Sequence, residues 1–247
     1  MNRTKRSFLI STFLFSTISL PLWGDNEDIR PAKVESGLVA NIPSEVEHLL
    51  MENPHVKFLL LISEKGELLD RLATESNHYA LLEAATRLID QATYSPAYQD
   101  GVVVPSRLQA TVYFRNMDQE RWQATGTMPM GTNTMNMAEK KLYDSDKKRF
   151  AYSRSEPGEL DQPLQLSSGS IVVLQDSKGK PAKGSVTVEY YIDHNGDALL
   201  PTILNDVDEV LAMSAIKTLE RLKFAPPRRK GNPTYVKVRQ TFDFDDE

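Results

Sequence analysis

The pattern of apolar and polar positions along the chain occurs twice. Near the C-terminus, Val186 to Ile192 alternates apolar with polar side chains and is rich in β-branched and aromatic residues, the mark of a half-buried strand. Asn195-Gly196 follows, a dipeptide that accepts positive φ and closes a tight hairpin, and a second strand is predicted over about Ala198 to Leu204. The period then changes. Leu211, Ala212, Ala215, Ile216, Leu219 and Leu222 recur at helical spacing, with Asp206 or Asp208 placed to cap the first turn. Pro226 is expected to stop that helix, because its ring cannot donate to the helical ladder. A last strand sets Val236, Val238, Phe242 and Phe244 in alternation with Lys237, Arg239, Thr241 and Asp243, with Gln240 breaking the apolar row.

The same succession stands earlier in the chain. Val56 to Ile62 leads through Glu64-Lys65-Gly66 into Leu68 to Ala73, and Leu81, Leu82, Ala85, Leu88, Ile89 and Ala92 form a helical face. Ser76 or Asn77 is the expected cap, Pro96 the expected stop, and Leu108, Ala110, Val112 and Phe114 the closing strand. Residues 56–114 align with 186–244 at a constant offset of 130, with Gly66/Gly196, Pro96/Pro226, Gly101/Gly231 and Phe114/Phe244 among the identities. Allowing a two-residue gap, Pro31 and Ser36-Gly37 match Pro163 and Ser168-Gly169. A repeat of this kind implies duplication of one supersecondary unit. The predicted class is α+β: two tandem ββαβ domains, each a small antiparallel sheet covered by a helix.

Composition narrows the function. The chain has 247 residues, 40% hydrophobic and 26% charged, which suits globular domains and not a disordered segment. The net charge of −5 comes without a basic stripe and argues against a nucleic-acid partner. Arg3, Lys5 and Arg6 before the apolar run Phe8 to Trp23 read as an export signal over 1–24. The run is short for a membrane span, so cleavage is expected, and membrane contact would arise only if the segment stays uncleaved. The chain has no cysteine, which excludes disulfides, thiolate metal sites and a catalytic thiol.

The second unit then resembles a known family. Gly184, Ile192-Asp193, Gly196, Phe224 with Pro226, Gly231 with Pro233, and Phe242 with Phe244 fall as in the C-terminal domain of TonB, preceded by a similar lead-in at Glu159–Pro163. The first unit, with Tyr94 and Pro96 in the helix-closing step, resembles a divergent member. The boundaries this implies are 25–118 and 159–247 for the two domains, with 119–158 as a linker. The resemblance implies a periplasmic, non-enzymatic protein whose partners are outer-membrane TonB-dependent receptors or other periplasmic proteins. Binding would be by strand addition beside the last strand, at Tyr235, Val236, Lys237, Val238 and Arg239, with Ser106, Arg107, Leu108, Gln109 and Ala110 as the weaker equivalents. A second copy of the chain is the other partner considered. The N-terminal segment holds no histidine and the 14 prolines build no spacer, which favours a binding role over that of an inner-membrane-anchored energy transducer.

Other constellations point less far. Asp193, Asn195 and Asp197 suggest a calcium loop, but Ala198 and Leu204 stand where its glycine and bidentate glutamate belong, and a hairpin turn explains all three. Met128, Met130, Met135 and Met137 offer thioethers of the kind that hold Cu(I), the basis of an alternative copper-handling role, although neither His nor Cys accompanies them. Ser214 and Lys217 form an S-x-x-K on an ordinary amphipathic helix with none of the partner motifs of acyl-transferases. No catalytic residue, metal site or cofactor is expected. A purely structural domain pair without a free sheet edge remains the third option.

Overall fold

The computed structural model describes residues 29–46, 51, 53–115 and 150–244. The expected export signal (1–24), a short strand expected over Arg121 to Thr127, the methionine group and the end of the acidic tail lie outside the described residues. Within them the fold is mixed α and β, with two α-helices and several small sheets.

The first half opens with β1 (Ile29–Arg30), β2 (Lys33–Val34) and β3 (Val39–Asn41). The hairpin of β4 (His55–Ile62) and β5 (Leu68–Ser76) follows, then helix α1 (Leu82–Gln91). The short strands β6 (Tyr94–Ser95), β7 (Ala97–Gln99) and β8 (Val102–Val104) lead to the long β9 (Ser106–Arg115). The second half runs β10 (Arg154–Ser155), β11 (Leu166–Ser168), β12 (Ser185–Ile192), β13 (Ala198–Ile203) and α2 (Glu209–Leu219). It closes with β14 (Lys223–Phe224), β15 (Arg228–Arg229), β16 (Asn232–Pro233) and β17 (Tyr235–Asp243). The main sheets are ordered β3-β9-β4-β5 and β10-β17-β12-β13. Three strands of each are antiparallel, but β3 and β10 join in parallel, so both sheets are mixed where antiparallel ones were expected.

Turn geometry repeats along with the strands. Ser63 Oγ accepts the N–H groups of Lys65 and Glu67 at 3.1 and 3.0 Å. At the positions 130 further on, Asp193 Oδ1 accepts those of Asn195 and Asp197 at 2.8 and 2.9 Å. The Asp193 carboxylate is thus engaged in the turn, and that of Asp197 pairs with Lys223. Gly66 and Gly196 have φ of 77° and 86°, and a Cβ there would lie 2.5 Å from the Tyr94 carbonyl oxygen and 2.0 Å from that of Phe224. Glycine is required at both, because the strand after the helix passes directly against the turn. That strand pairs Val34 with Tyr94 in one half and Leu166 with Phe224 in the other, which reproduces the two-residue gap of the sequence alignment.

Helix ends differ from expectation. Asp208 caps α2 by accepting the Leu211 N–H at 2.9 Å. On the α1 side neither expected residue caps: Asn77 Oδ1 accepts the His55 N–H, Ser76 Oγ donates to the His78 carbonyl, and His78 Nδ1 accepts the Ala80 N–H at 3.1 Å to cap a 3-10 turn over Tyr79–Leu81 that leads into the helix. Pro96 and Pro226 do not end the helices, which stop at Gln91 and Leu219. The prolines follow β6 and β14 instead, where they hold the preceding residue extended.

The helix-facing side of the first sheet is the row Val56, Phe58, Leu60 and Ile62, each at most 2% exposed, against Leu82, Ala85 and Ile89 of α1. Burying each such side chain contributes about 1.5–3 kcal/mol. The opposite face is also covered. Leu61 lies between Asp70 and Arg107, and these two bond to Leu200 and Thr202 of the second half. Leu59 and Leu61 pack in one cluster with Tyr191, Leu199, Leu200 and Tyr235. The run Phe58 to Ile62 is therefore apolar without alternation because one of its faces is buried and the other half-buried against the second half.

Candidate functional site: the open edge of the second sheet

β17 is the strand on which the site is built. Its inner neighbour β12 pairs with it from Ser185↔Asp243 to Ile192↔Val236. Alternation places Val236, Val238, Gln240 and Phe242 toward α2, and Lys237, Arg239, Thr241 and Asp243 on the other face. Gln240 interrupts the apolar row at no cost, since its side-chain oxygen accepts the Tyr190 hydroxyl at 2.8 Å. Burial pushes that phenol up to about 12, so it donates at every relevant pH.

Among the described residues, the outer side of β17 is covered only at its beginning. Arg154 pairs with Tyr235 and Ser155 with Val236, both in parallel. Tyr235 is 7% exposed and Val236 fully buried. Of the five residues expected on this edge, these two are enclosed, and Lys237, Val238 and Arg239 have no strand beside them among the described residues. The uncovered stretch continues through Thr241 to Asp243. Arg154 and Ser155 were not expected there, since 119–158 read as a linker. The available signal was Pro157, whose ring ends the pairing after two residues and begins a 3-10 turn closed by Glu156 and Glu159.

A small charge cluster lies on the solvent face of this edge. Glu189 is 2.7 Å from Lys237 Nζ and 3.4 Å from Arg239, whose side chain is 67% exposed. Burial alone would raise the Glu189 carboxyl, but the hydrogen bonds and charges of Lys237 and Arg239 outweigh it and hold it below its ordinary range. Two cations on one carboxylate leave the Lys237–Arg239 part of this face with a local positive charge, which the Asp243 carboxylate balances at the far end of the stretch. Strand addition here would offer backbone N–H and C=O groups to a partner, with Val238 and Arg239 setting the preference on the two faces.

The corresponding edge in the first half is open at the other end. β3 covers Tyr113 to Arg115 of β9, and Ser106, Arg107, Leu108, Gln109 and Ala110 have no paired strand on that side among the described residues. Ala110 is buried on the helix-facing side, and Arg107 donates to Thr202 Oγ1 at 2.8 Å.

The S-x-x-K pair has a structural role. Ser214 Oγ donates to the Val210 carbonyl at 2.8 Å and accepts the Leu174 N–H at 3.0 Å, and Thr218 Oγ1 accepts the Val172 N–H at 2.9 Å. The segment 172–174 is thereby tied along α2, which explains why these two polar side chains are fully buried. Lys217 points away and pairs with Glu220 at 2.7 Å.

Residues 175–245 match the family model of the Gram-negative bacterial TonB protein C-terminal, and no second copy is detected elsewhere in the chain. That family is non-enzymatic, its members face the periplasm, and it implies interaction with TonB-dependent receptors. No curated protein and no solved structure matches the chain. Among the described residues, no helix is long and apolar enough to cross a membrane.

Proposed function

We propose that the protein is a periplasmic, TonB-type binding protein that takes up segments of outer-membrane receptors by adding them as a strand to β17. The observation that carries this reading is the stretch Lys237 to Asp243, without an outer strand among the described residues, on a sheet whose β12, β13 and β17 lie within the matched region. The repeated turn geometry supports two tandem TonB-like domains, of which the second docks the receptor and the first, through Ser106 to Ala110, offers a weaker site. The interface between the halves supports a rigid pair in which the first half holds the Tyr235 end of β17 in place.

The cysteine-free chain permits a direct test. Single cysteines at Lys237, Arg239 and Thr241, with Lys217 on the solvent side of α2 as control, are crosslinked in cells and the adducts identified by mass spectrometry. Receptor segments captured at the three strand positions and not at Lys217 support docking. Capture at none of the three positions, or equally at all four, removes the reading.

A further inference from the structure

The short strand that covers the start of the β17 edge is unusually well anchored for its length. Tyr152, just before it, exchanges both backbone hydrogen bonds with Ser76 at the end of β5, each at 3.0 Å. Its ring is fully buried between His194 and Tyr235, with centroids 5.6 Å from each. The Thr234 hydroxyl donates to the Ser153 carbonyl at 2.7 Å, which leaves the Ser155 hydroxyl to donate to Thr234 Oγ1 at 2.7 Å. Ser155 and Thr234 are 1% and 2% exposed. After Ser155, the Pro157 turn carries the chain away from the edge, and Arg229 reaches Glu159 at 3.4 Å to hold that turn.

We propose that Arg154–Ser155 is a fixed stop that sets the register of a strand docked on β17, with Thr234 as its positioning residue. This rests on the strand-addition reading above and adds to it where the docked strand must begin. A partner segment cannot pair with Tyr235 and Val236, because two residues of this chain already do. It takes up from Lys237 and runs beside Lys237 to Asp243. A slip of one residue in a strand moves every side chain to the other face, so a stop at one end selects among partners by where their charged and apolar residues fall. The edge then fits an extended segment with a carboxylate beside Arg239, where the local charge is positive, and an apolar side chain beside Val238. A weakly held two-residue strand would be displaced by a longer one. Buried hydroxyl bonds on one side and the enclosed Tyr152 on the other make this one a barrier.

The test reads register directly. The probe is a synthetic peptide spanning the TonB-box segment of an outer-membrane receptor, with one cysteine moved along it. It is crosslinked to chains carrying a single cysteine at Lys237, Arg239 or Thr241. A single register is expected, with peptide positions advancing in step with the strand. In Thr234→Val and Ser155→Ala, which remove the hydroxyl contacts, the pattern should broaden and slide by two residues toward Tyr235. Thr234→Ser, which keeps the hydroxyl, should restore the single register. Melting curves on all variants identify any that fail to fold, and Ser155→Ala serves if Thr234→Val does. An unchanged single register in folded variants overturns the stop and leaves strand addition standing. No crosslink at any strand position in the unaltered background overturns both.

Discussion

Asp70 and Leu200 occupy equivalent positions of the repeat, 130 residues apart, and they bond to each other: Asp70 Oδ2 accepts the Leu200 N–H at 2.5 Å. Leu200 has φ of 52°, a left-handed conformation that costs a branched residue about 1–2 kcal/mol. The duplicated positions have diverged into a contact between the halves. Desolvation raises the Asp70 carboxyl above its ordinary 3.8, against the lowering effect of the bonds from Leu200 and Arg71.

Replacing Asp70 by alanine leaves the buried Leu200 N–H without an acceptor, and a loss of about 1–3 kcal/mol is expected in denaturant unfolding. Asp70→Asn keeps an acceptor and tests the charge. A folded-state value raised above the unfolded one means that the folded chain binds the proton more tightly. The ionised group therefore weakens the fold above its folded pKa, and the weakening is lost as pH falls from that raised value toward 3.8, below which none is left. Unfolding measured across the acid range should show the wild type gaining on Asp70→Asn as pH falls from neutral. A difference that does not change with pH contradicts this.

The two turn classes make opposite demands on glycine. At Gly196 the φ of 86° is combined with a Cβ position 2.0 Å from a backbone carbonyl oxygen, whereas Gly101, φ 79°, has nothing within 4 Å. Gly101→Ala meets conformational strain alone, about 1 kcal/mol. Gly196→Ala must also displace the Phe224 strand, and a larger loss, about 2 kcal/mol or more, is expected. Equal melting temperatures for the two variants would refute this account of the turn.

How much of this was legible in the sequence depends on whether the signal was local. The 130-residue offset located Gly66, Gly196 and the central strands, because turn glycines and alternating strands are local signatures. The apolar run Phe58 to Ile62 departed from the alternation of Val186 to Ile192 and held the evidence for a second buried face, but its partner in space, Leu199-Leu200, lies in the other half. Ser214 read only as half of a chance S-x-x-K pair on an amphipathic helix, although with Thr218 it anchors the segment 172–174. The site was half legible. Lys237, Val238 and Arg239 have no outer strand among the described residues, whereas Tyr235 and Val236 are enclosed by Arg154 and Ser155, two residues with too little pattern to be read as a strand.

Glu189 competes with any acidic partner for Lys237 and Arg239. Its folded-state carboxyl is held low, so the stability it lends is present above its ordinary 4.5 and lost as pH falls through the lower folded value. Glu189→Gln frees both cations at neutral pH. Exposed pairs of this type are worth about 0.2–1 kcal/mol, so an acidic receptor peptide should bind more tightly by a factor of about 1.4 to 5. Arg239→Glu should weaken it. Titration by fluorescence anisotropy measures both, and tighter binding by Arg239→Glu would place the partner's charges elsewhere.

Tyr152 separates packing from hydrogen bonding at the junction of the halves. Its ring is fully buried; among the described residues its hydroxyl makes no hydrogen bond of good geometry, and burial pushes the phenol well above its ordinary 10.0 against the weak lowering contact of the His194 backbone. His194, edge-on to the ring, is lowered by burial against the opposing pull of Asp193 and Asp197, and offers no cation to the phenol near neutral pH. Tyr152→Phe keeps the ring and gives up at most the weak contact with the His194 backbone, so it should change stability by no more than about 1 kcal/mol. Tyr152→Ala removes the ring from a site with no room to collapse and should cost about 3–5 kcal/mol. Because the ring holds the strap that covers Tyr235, the alanine variant should also lose amide-exchange protection at Ser76 and Val236, while the phenylalanine variant keeps it. Loss of protection in both variants would mean that the hydroxyl, and not the ring, holds the strap.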